Sequence, residues 1–342
     1  MKRILALFII LALIFLAACG QDAPSSTEDT TPAPAETQLR VIATVFPQYD
    51  FVRQIAGDRV ELSMLLSPGA EPHAFEPTPR DMIALNEADV LIYVGGHGDT
   101  WVDAVVASLE REDMRRIALV DLVDTVMVEH DHDHHHGHDH SHDHGHDHGH
   151  DHSHDHGHGH HHDHHHAELD EHVWTSPQNA ILIVEALTEV LAELDPANAD
   201  YFRENAAQYI EELSALDAAF AEAVAQGVRH TLVFGDRFPF RYLTDAYGLT
   251  AYAAFIGCSA ETQASPATLA RLIEIVQEQE IPIVFYIELS NRLIANVIAE
   301  ATGARLLELH SANNVSAAEF AAGVTYVDIM WRNLEHLREA LS

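Results

Sequence analysis

From residue 39 onward, short apolar runs alternate with longer segments whose apolar positions recur at helical spacing. LRVIATV (39–45), VELSMLL (60–66), DVLIYVGG (89–96) and RIALV (116–120) read as strands. Between them PQYDFVRQIAGD (47–58), PTPRDMIALNEA (77–88) and GDTWVDAVVASL (98–109) read as helices. Thr78 is placed to cap the second helix with Pro79 at its first position, and Asp99 or Thr100 opens the third. Apolar strands alternating with helices imply a parallel sheet covered on both faces.

The middle of the chain changes period. PQNAILIVEALTEVLAEL (177–194) is helical, Asp195-Pro196 breaks it, and residues 197–227 sustain helical spacing up to Gly227. A helix of that length between two β/α regions reads as a strut. The alternation then resumes, with strands RHTLVFG (229–235), LTAYAAF (249–255), IPIVFYI (281–287) and ARLLEL (304–309). Its helices are FPFRYLTDAYG (238–248), SPATLARLIEIVQEQE (265–280, Ser265 as N-cap), SNRLIANVIAEATG (290–303) and one closing helical segment, 316–341. The expected fold class is α/β: two β/α lobes with mainly parallel four-stranded sheets, joined by one long rigid helix. The expected boundaries are an N-terminal lobe 39–195, a connecting helix 197–226 and a C-terminal lobe 228–342.

Two regions escape this patterning. Lys2 and Arg3 precede an apolar stretch, Ile4 to Ala18, too short to span a membrane comfortably, and LAACG follows. Small residues before Cys19 resemble the bacterial lipoprotein processing site. That implies a signal peptide over 1–18, a lipid on Cys19, and an exported protein anchored to the outer face of the bacterial cell membrane, or on the periplasmic side where there are two membranes. Residues 19–38, rich in Ser, Thr, Pro and acid, read as a flexible tether. The second region runs from His130 to His166 and alternates His with Asp, Gly and Ser. It cannot bury a core and is expected to be disordered without metal. Its dense imidazoles, His130, His134, His135, His136, His160, His161, His162, His164, His165 and His166 among them, form an expected auxiliary metal-binding loop.

A hydrophobic share of 47% suffices for sizeable cores, and a formal charge of −36 argues against a nucleic-acid partner. With Cys19 lipidated, Cys258 has no partner for an internal disulfide and reads as a small buried hydrophobe rather than a thiolate ligand. Open parallel sheets take ligands at the carboxyl ends of their strands. His73 follows the second strand, Gly235 and Asp236 follow TLVF, Glu288 follows IVFY, and His310 follows LLEL. His172, in DEHVWTSP, precedes the helix leading to the strut. Their joint placement points to a metal site in the cleft between lobes. Asp236 beside Arg237 reads equally as an ion pair, and Glu288 equally as a cap of the helix from Ser290. Glu71 and His97 are expected beside the site or at its entrance. Three histidines with at most one carboxylate favour Zn²⁺ over Mn²⁺. No HExxH or nucleophile motif appears, so an enzyme is not expected.

PGAEPHAFEPTPRD, EHVWTSPQNA, the long helix and YVDIMWRNLEHLREAL together resemble the zinc and manganese solute-binding lipoproteins of bacterial ABC importers, ZnuA-like in the zinc branch. The resemblance spans about residues 39 to 342. It implies a monomer that captures Zn²⁺ outside the membrane and delivers it to a permease with its ATPase. Carried over, His73 is the first histidine ligand and His172 the second. The third, a histidine in zinc-type relatives, meets Gly235 in FGDRFPF; the fourth, an aspartate in manganese-type relatives, falls at His310. The expected set is therefore His73, His172 and His310, with Asp236 or Glu288 as a fourth ligand. The histidine run is expected to raise the local zinc concentration. The alternatives are a subunit importing manganese or another divalent metal, and a surface zinc buffer or adhesin with no part in transport.

Overall fold

The computed structural model describes residues 38–70, 75–96, 100–109, 113–126, 169–256 and 264–342. The leader with Cys19, the tether up to Thr37, Glu71, His73, His97, Cys258 and the run His130–His166 lie outside the described residues.

Each apolar run becomes a strand. In the N-terminal half these are β1 (Leu39–Ala43), β2 (Val60–Met64), β3 (Val90–Tyr93) and β4 (Arg115–Ala118), paired all-parallel in the order β2-β1-β3-β4. The C-terminal half repeats the plan with β5 (Thr231–Phe238), β6 (Thr250–Ile256), β7 (Ile283–Tyr286) and β8 (Arg305–Glu308), in the order β6-β5-β7-β8. In both sheets the order reverses beside the first strand, which opens a crevice at the carboxyl ends of β1/β3 and β5/β7.

The helices are α1 (Phe46–Ala56), α2 (Pro79–Glu87), α3 (Thr100–Ser108), α4 (Pro177–Leu194), α5 (Ala199–Gln226), α6 (Arg241–Tyr247), α7 (Pro266–Glu278), α8 (Leu293–Thr302), α9 (Ala317–Ala321) and α10 (Tyr326–Leu341). Thr78 and Ser265 cap α2 and α7 as their sequences predict. Two details differ from expectation. β5 runs on past Gly235 to Phe238 through a register shift between Phe234 and Arg237, so α6 starts only at Arg241. The closing segment is two helices: Gly323, at φ 74°, ends the first, and Thr325 accepts the Asp328 N–H to start the second.

The long helix α5 buries Phe202, Ala206, Tyr209, Leu213, Leu216 and Phe220, a stripe at helical spacing. That stripe packs against α1 and α4 of the N-terminal half and α10 of the C-terminal half. One apolar core therefore runs between the sheets, from Val41, Phe51 and Ile92 through Trp174 and Phe220 to Phe234, Phe285 and Tyr326. Each sheet also has a private outer core: Ile42, Leu65 and Leu91 in the N-terminal half, Val233, Val284 and Ile298 in the C-terminal half. Among the described residues no helix is long and apolar enough to cross a membrane.

Candidate metal centre

His172 sits at the start of a short 3₁₀ turn, Val173–Thr175, and is 5% exposed. Asp170, two residues earlier, folds back on it: one carboxylate oxygen accepts the His172 main-chain N–H at 2.9 Å and lies 3.0 Å from Nδ1. Burial opposes ionisation of Asp170, but its bonds to His172, the charge of that ring and the charge of Arg241 outweigh it, so the carboxyl is held below its ordinary range. An imidazole held at Nδ1 by a carboxylate coordinates through Nε2, with its tautomer fixed and its basicity raised. The Trp174 ring meets the imidazole edge-on at 5.5 Å.

His310 follows β8 and is 2% exposed. Asn333 of α10 grips its main chain at both ends, accepting the N–H at 2.8 Å and donating to the C=O at 2.7 Å. The ring is held differently from that of His172. Its Nδ1 accepts the Ala312 N–H at 3.0 Å, and Ala312 takes a left-handed φ of 60° there. Nε2 is buried with no hydrogen-bond partner among the described residues. A buried polar nitrogen left unmatched costs about 1–3 kcal/mol, which a metal at that atom would offset. With Nδ1 accepting, the neutral ring carries its proton on Nε2, so coordination there needs the proton moved. Glu288 Oε2 lies 3.7 Å from Nδ1, placed to accept an Nδ1–H once the tautomer switches.

Glu288 does not cap the helix from Ser290. It accepts from the Ser311 N–H at 2.7 Å and from the Ser311 hydroxyl, tying the end of β7 to the loop after β8. The start of α8 is capped instead by Ser290 and Asn291, which accept the N–H groups of Arg292 and Leu293. Asp236 is engaged locally, accepting from the Ser290 hydroxyl and the Arg237 N–H. Gly235 faces α8: a Cβ there would stand 2.3 Å from Ala295 Cα, inside the helix backbone. This glycine allows strand and helix to touch, and the backbone as folded leaves no room for a side chain at 235.

The loop after β8 is where the halves meet. Phe46 N–H donates to Asn313 C=O at 3.2 Å, and Gly69 N–H to Val315 C=O at 2.7 Å. Asn314 donates to the carbonyls of Ser67 and Ala70 at 3.0 and 2.8 Å. Trp174 Nε1 donates to Ser311 C=O at 2.8 Å, and Tyr326 Oη to Trp174 C=O at 2.6 Å. His172 and His310 thus lie two and one residues from a hydrogen bond that joins their loops. Ala70, three residues before His73, is anchored to the same loop. Among the described residues no three His, Cys, Asp or Glu side chains converge on one point; His73 is outside them. Asp170 and Asn333 were missed in the sequence. An Asp two residues before a candidate ligand was a readable signal, whereas Asn333 on a distant helix gave none.

Residues 41–340 match the family described as ZnuA, zinc-uptake complex component A, periplasmic. The zinc-binding lipoprotein AdcA of Streptococcus pneumoniae is 30% identical over 345 residues, which cover 99% of this chain and 61% of AdcA. The chain thus spans about three fifths of that relative. The high-affinity zinc uptake system protein ZnuA of Bacillus subtilis is 29% identical over 344 residues, covering 99% of this chain and 98% of that protein. The crystal structure of the Zn(II)-bound ZnuA-like domain of S. pneumoniae AdcA matches with a TM-score of 0.68 and 27% identity, over 89% of this chain and 99% of that domain. The match over 41–340 settles the kinship that the two histidine motifs suggested: this chain belongs to the ZnuA family.

Proposed function

We propose that the chain is an extracytoplasmic zinc-binding subunit of a bacterial ABC importer, lipid-anchored through Cys19, that captures Zn²⁺ and hands it to a permease. One observation carries the reading. Two buried imidazoles from different halves are each fixed through Nδ1, and a Trp174–Ser311 hydrogen bond joins their loops. His73, whose loop is anchored at Ala70, supplies the third nitrogen, and Glu288 stands beside Nδ1 of His310 as the carboxylate that supports that ring. Nitrogen-rich coordination favours zinc over manganese. Zinc is also what the AdcA and ZnuA relatives are named for binding or taking up. The matched family is that of an uptake component and not of an enzyme. The histidine run from His130 to His166 serves as an auxiliary collector.

The test is calorimetry and native mass spectrometry with Zn²⁺ and Mn²⁺ on a soluble version starting at Thr37 and lacking residues 130–166. One tightly held zinc ion, lost on His73→Ala, His172→Ala or His310→Ala, is the expected result. Tight binding that disappears with the run and ignores those substitutions would place the site in the run instead.

A further inference from the structure

We infer that Tyr242, a residue of the C-terminal half, is a positioning residue for the ligand His172 of the N-terminal half, acting through Asp170. The inference rests on the zinc-site reading above and adds to it a part of the machinery that touches no metal.

Tyr242 lies on α6, 4% exposed within the core shared by both sheets. Its hydroxyl donates to the Asp170 C=O at 2.8 Å and accepts the Val126 N–H at 3.1 Å. Asp170 N–H in turn donates to the Val126 C=O at 3.0 Å. Two backbone stretches, one arriving at 126 and one resuming at 169, are thus stapled to each other and to a phenol from the other half. Burial pushes that phenol up to about 12, so it stays a protonated donor across the physiological range.

Asp170 is itself 4% exposed, and its carboxylate holds His172 at both the main-chain N–H and Nδ1. The path from the phenol to the imidazole therefore passes through one residue: Tyr242 fixes the Asp170 main chain, and the Asp170 side chain fixes the ring. Arg241, next to Tyr242 on α6, adds its charge to the same carboxylate. Because the hydroxyl comes from the opposite half, the aim of His172 depends on the two halves keeping their registry. A slip large enough to break one 2.8 Å hydrogen bond loosens the ligand without any wide separation.

The experiment follows zinc release from the full chain, loaded with one equivalent, into excess EDTA by stopped flow, with the visible spectrum of the Co²⁺-loaded protein as a readout of ligand geometry. Tyr242→Phe keeps the ring in the core and deletes only the hydroxyl. It is expected to speed release about 10-fold, the lower end of the effect of outer-shell groups on metal affinity, and to change the Co²⁺ spectrum. Asp170→Asn also speeds release, and the double variant is no faster than Asp170→Asn alone, because both substitutions cut one path. A Tyr242→Phe protein that melts earlier but releases zinc at the parent rate with an unchanged Co²⁺ spectrum overturns the inference, as does an additive double variant. Were Tyr242→Phe not to fold, 3-fluorotyrosine at position 242 preserves the packing and makes a stronger donor; slower release supports the inference and an unchanged rate refutes it. His172→Ala separates the two levels. If it leaves tightly held zinc in place, the zinc-site reading itself fails; if it strips the zinc while Tyr242→Phe behaves like the parent, only the role of Tyr242 falls.

Discussion

His172 and His310 stand in loops from different halves of the molecule, and their rings are held in opposite senses. Nδ1 of His172 faces a carboxylate placed to accept its N–H, whereas Nδ1 of His310 faces an N–H that occupies its lone pair. The first ring is preset for coordination through Nε2; the second must move a proton before it can bind. Their main chains also differ in support. His172 leans on a carboxylate two residues away, and His310 is clamped by Asn333 from another helix. One arm of the proposed site is locally built and chemically poised, while the other is built by tertiary packing and would have to adapt. The difference teaches that similar burial does not mean similar readiness.

The largest test of this contrast is removal of the rings themselves. His172→Ala and His310→Ala are each expected to weaken zinc binding by more than about 100-fold, beyond the usual range of second-shell losses. Competition against a chromophoric chelator measures it, and a loss under tenfold for His310→Ala would leave that arm outside the site. Next comes the support of each ring. Asp170→Asn is expected to cost about 10–100-fold in zinc affinity. Asn333→Ala instead leaves two buried backbone groups of His310 unpaired and is expected to cost about 2–4 kcal/mol of stability in urea unfolding, with the smaller effect on zinc.

Gly235→Ala drives a methyl group into α8 and should destabilise by about 1–3 kcal/mol. Gly235→His should gain no zinc affinity, which checks that 235 is a contact and not a vacant ligand position. The smallest effect concerns Glu319, which caps α9 beside the His310 loop. Burial opposes its ionisation, but hydrogen bonds from Ser316 and Arg332 and the nearness of His310 prevail and hold its carboxyl below the ordinary range. A depressed carboxyl stabilises the fold above the unfolded pKa of about 4.3 and loses that contribution as pH falls through the folded value. Glu319→Gln should therefore lie about 0.5–1 kcal/mol below the parent at pH 6, by loss of the charge on the Ser316 and Arg332 bonds, and converge with it toward pH 3. A gap that persists at pH 3 would show that charge plays no part.

Most of the architecture was legible because it follows from local pattern. Apolar runs such as IVFY and the capping signals at Thr78 and Ser265 fixed strands and helix starts where they occur. The extension of β5 was not legible, since the register shift between Phe234 and Arg237 follows no local pattern, and Gly235 within it packs against α8. At the site, the sequence singled out His310 and Glu288 as residues at strand ends and His172 as one just before a helix, and the fold brings Glu288 to His310. It could not show that Glu288 holds Ser311 rather than the helix after it, because that choice is made by the neighbouring strand. Nor could spacing separate Asp236 from Glu288; Ser290, 54 positions from Asp236 in sequence, is what engages Asp236.

The single apolar core between the sheets has a mechanical consequence. Parting the halves like jaws would wet surface that is now dry, at about 2.5 kcal/mol for every 100 Å² of apolar area exposed. A gape that exposed about 400 Å² would cost about 10 kcal/mol, much of the stability of a typical domain. For a site placed as proposed, stiffness of this kind makes cargo exchange a matter of leverage, with small shear at the seam, read out by a few hydrogen bonds, setting an ion's dwell time while the body of the molecule stays closed.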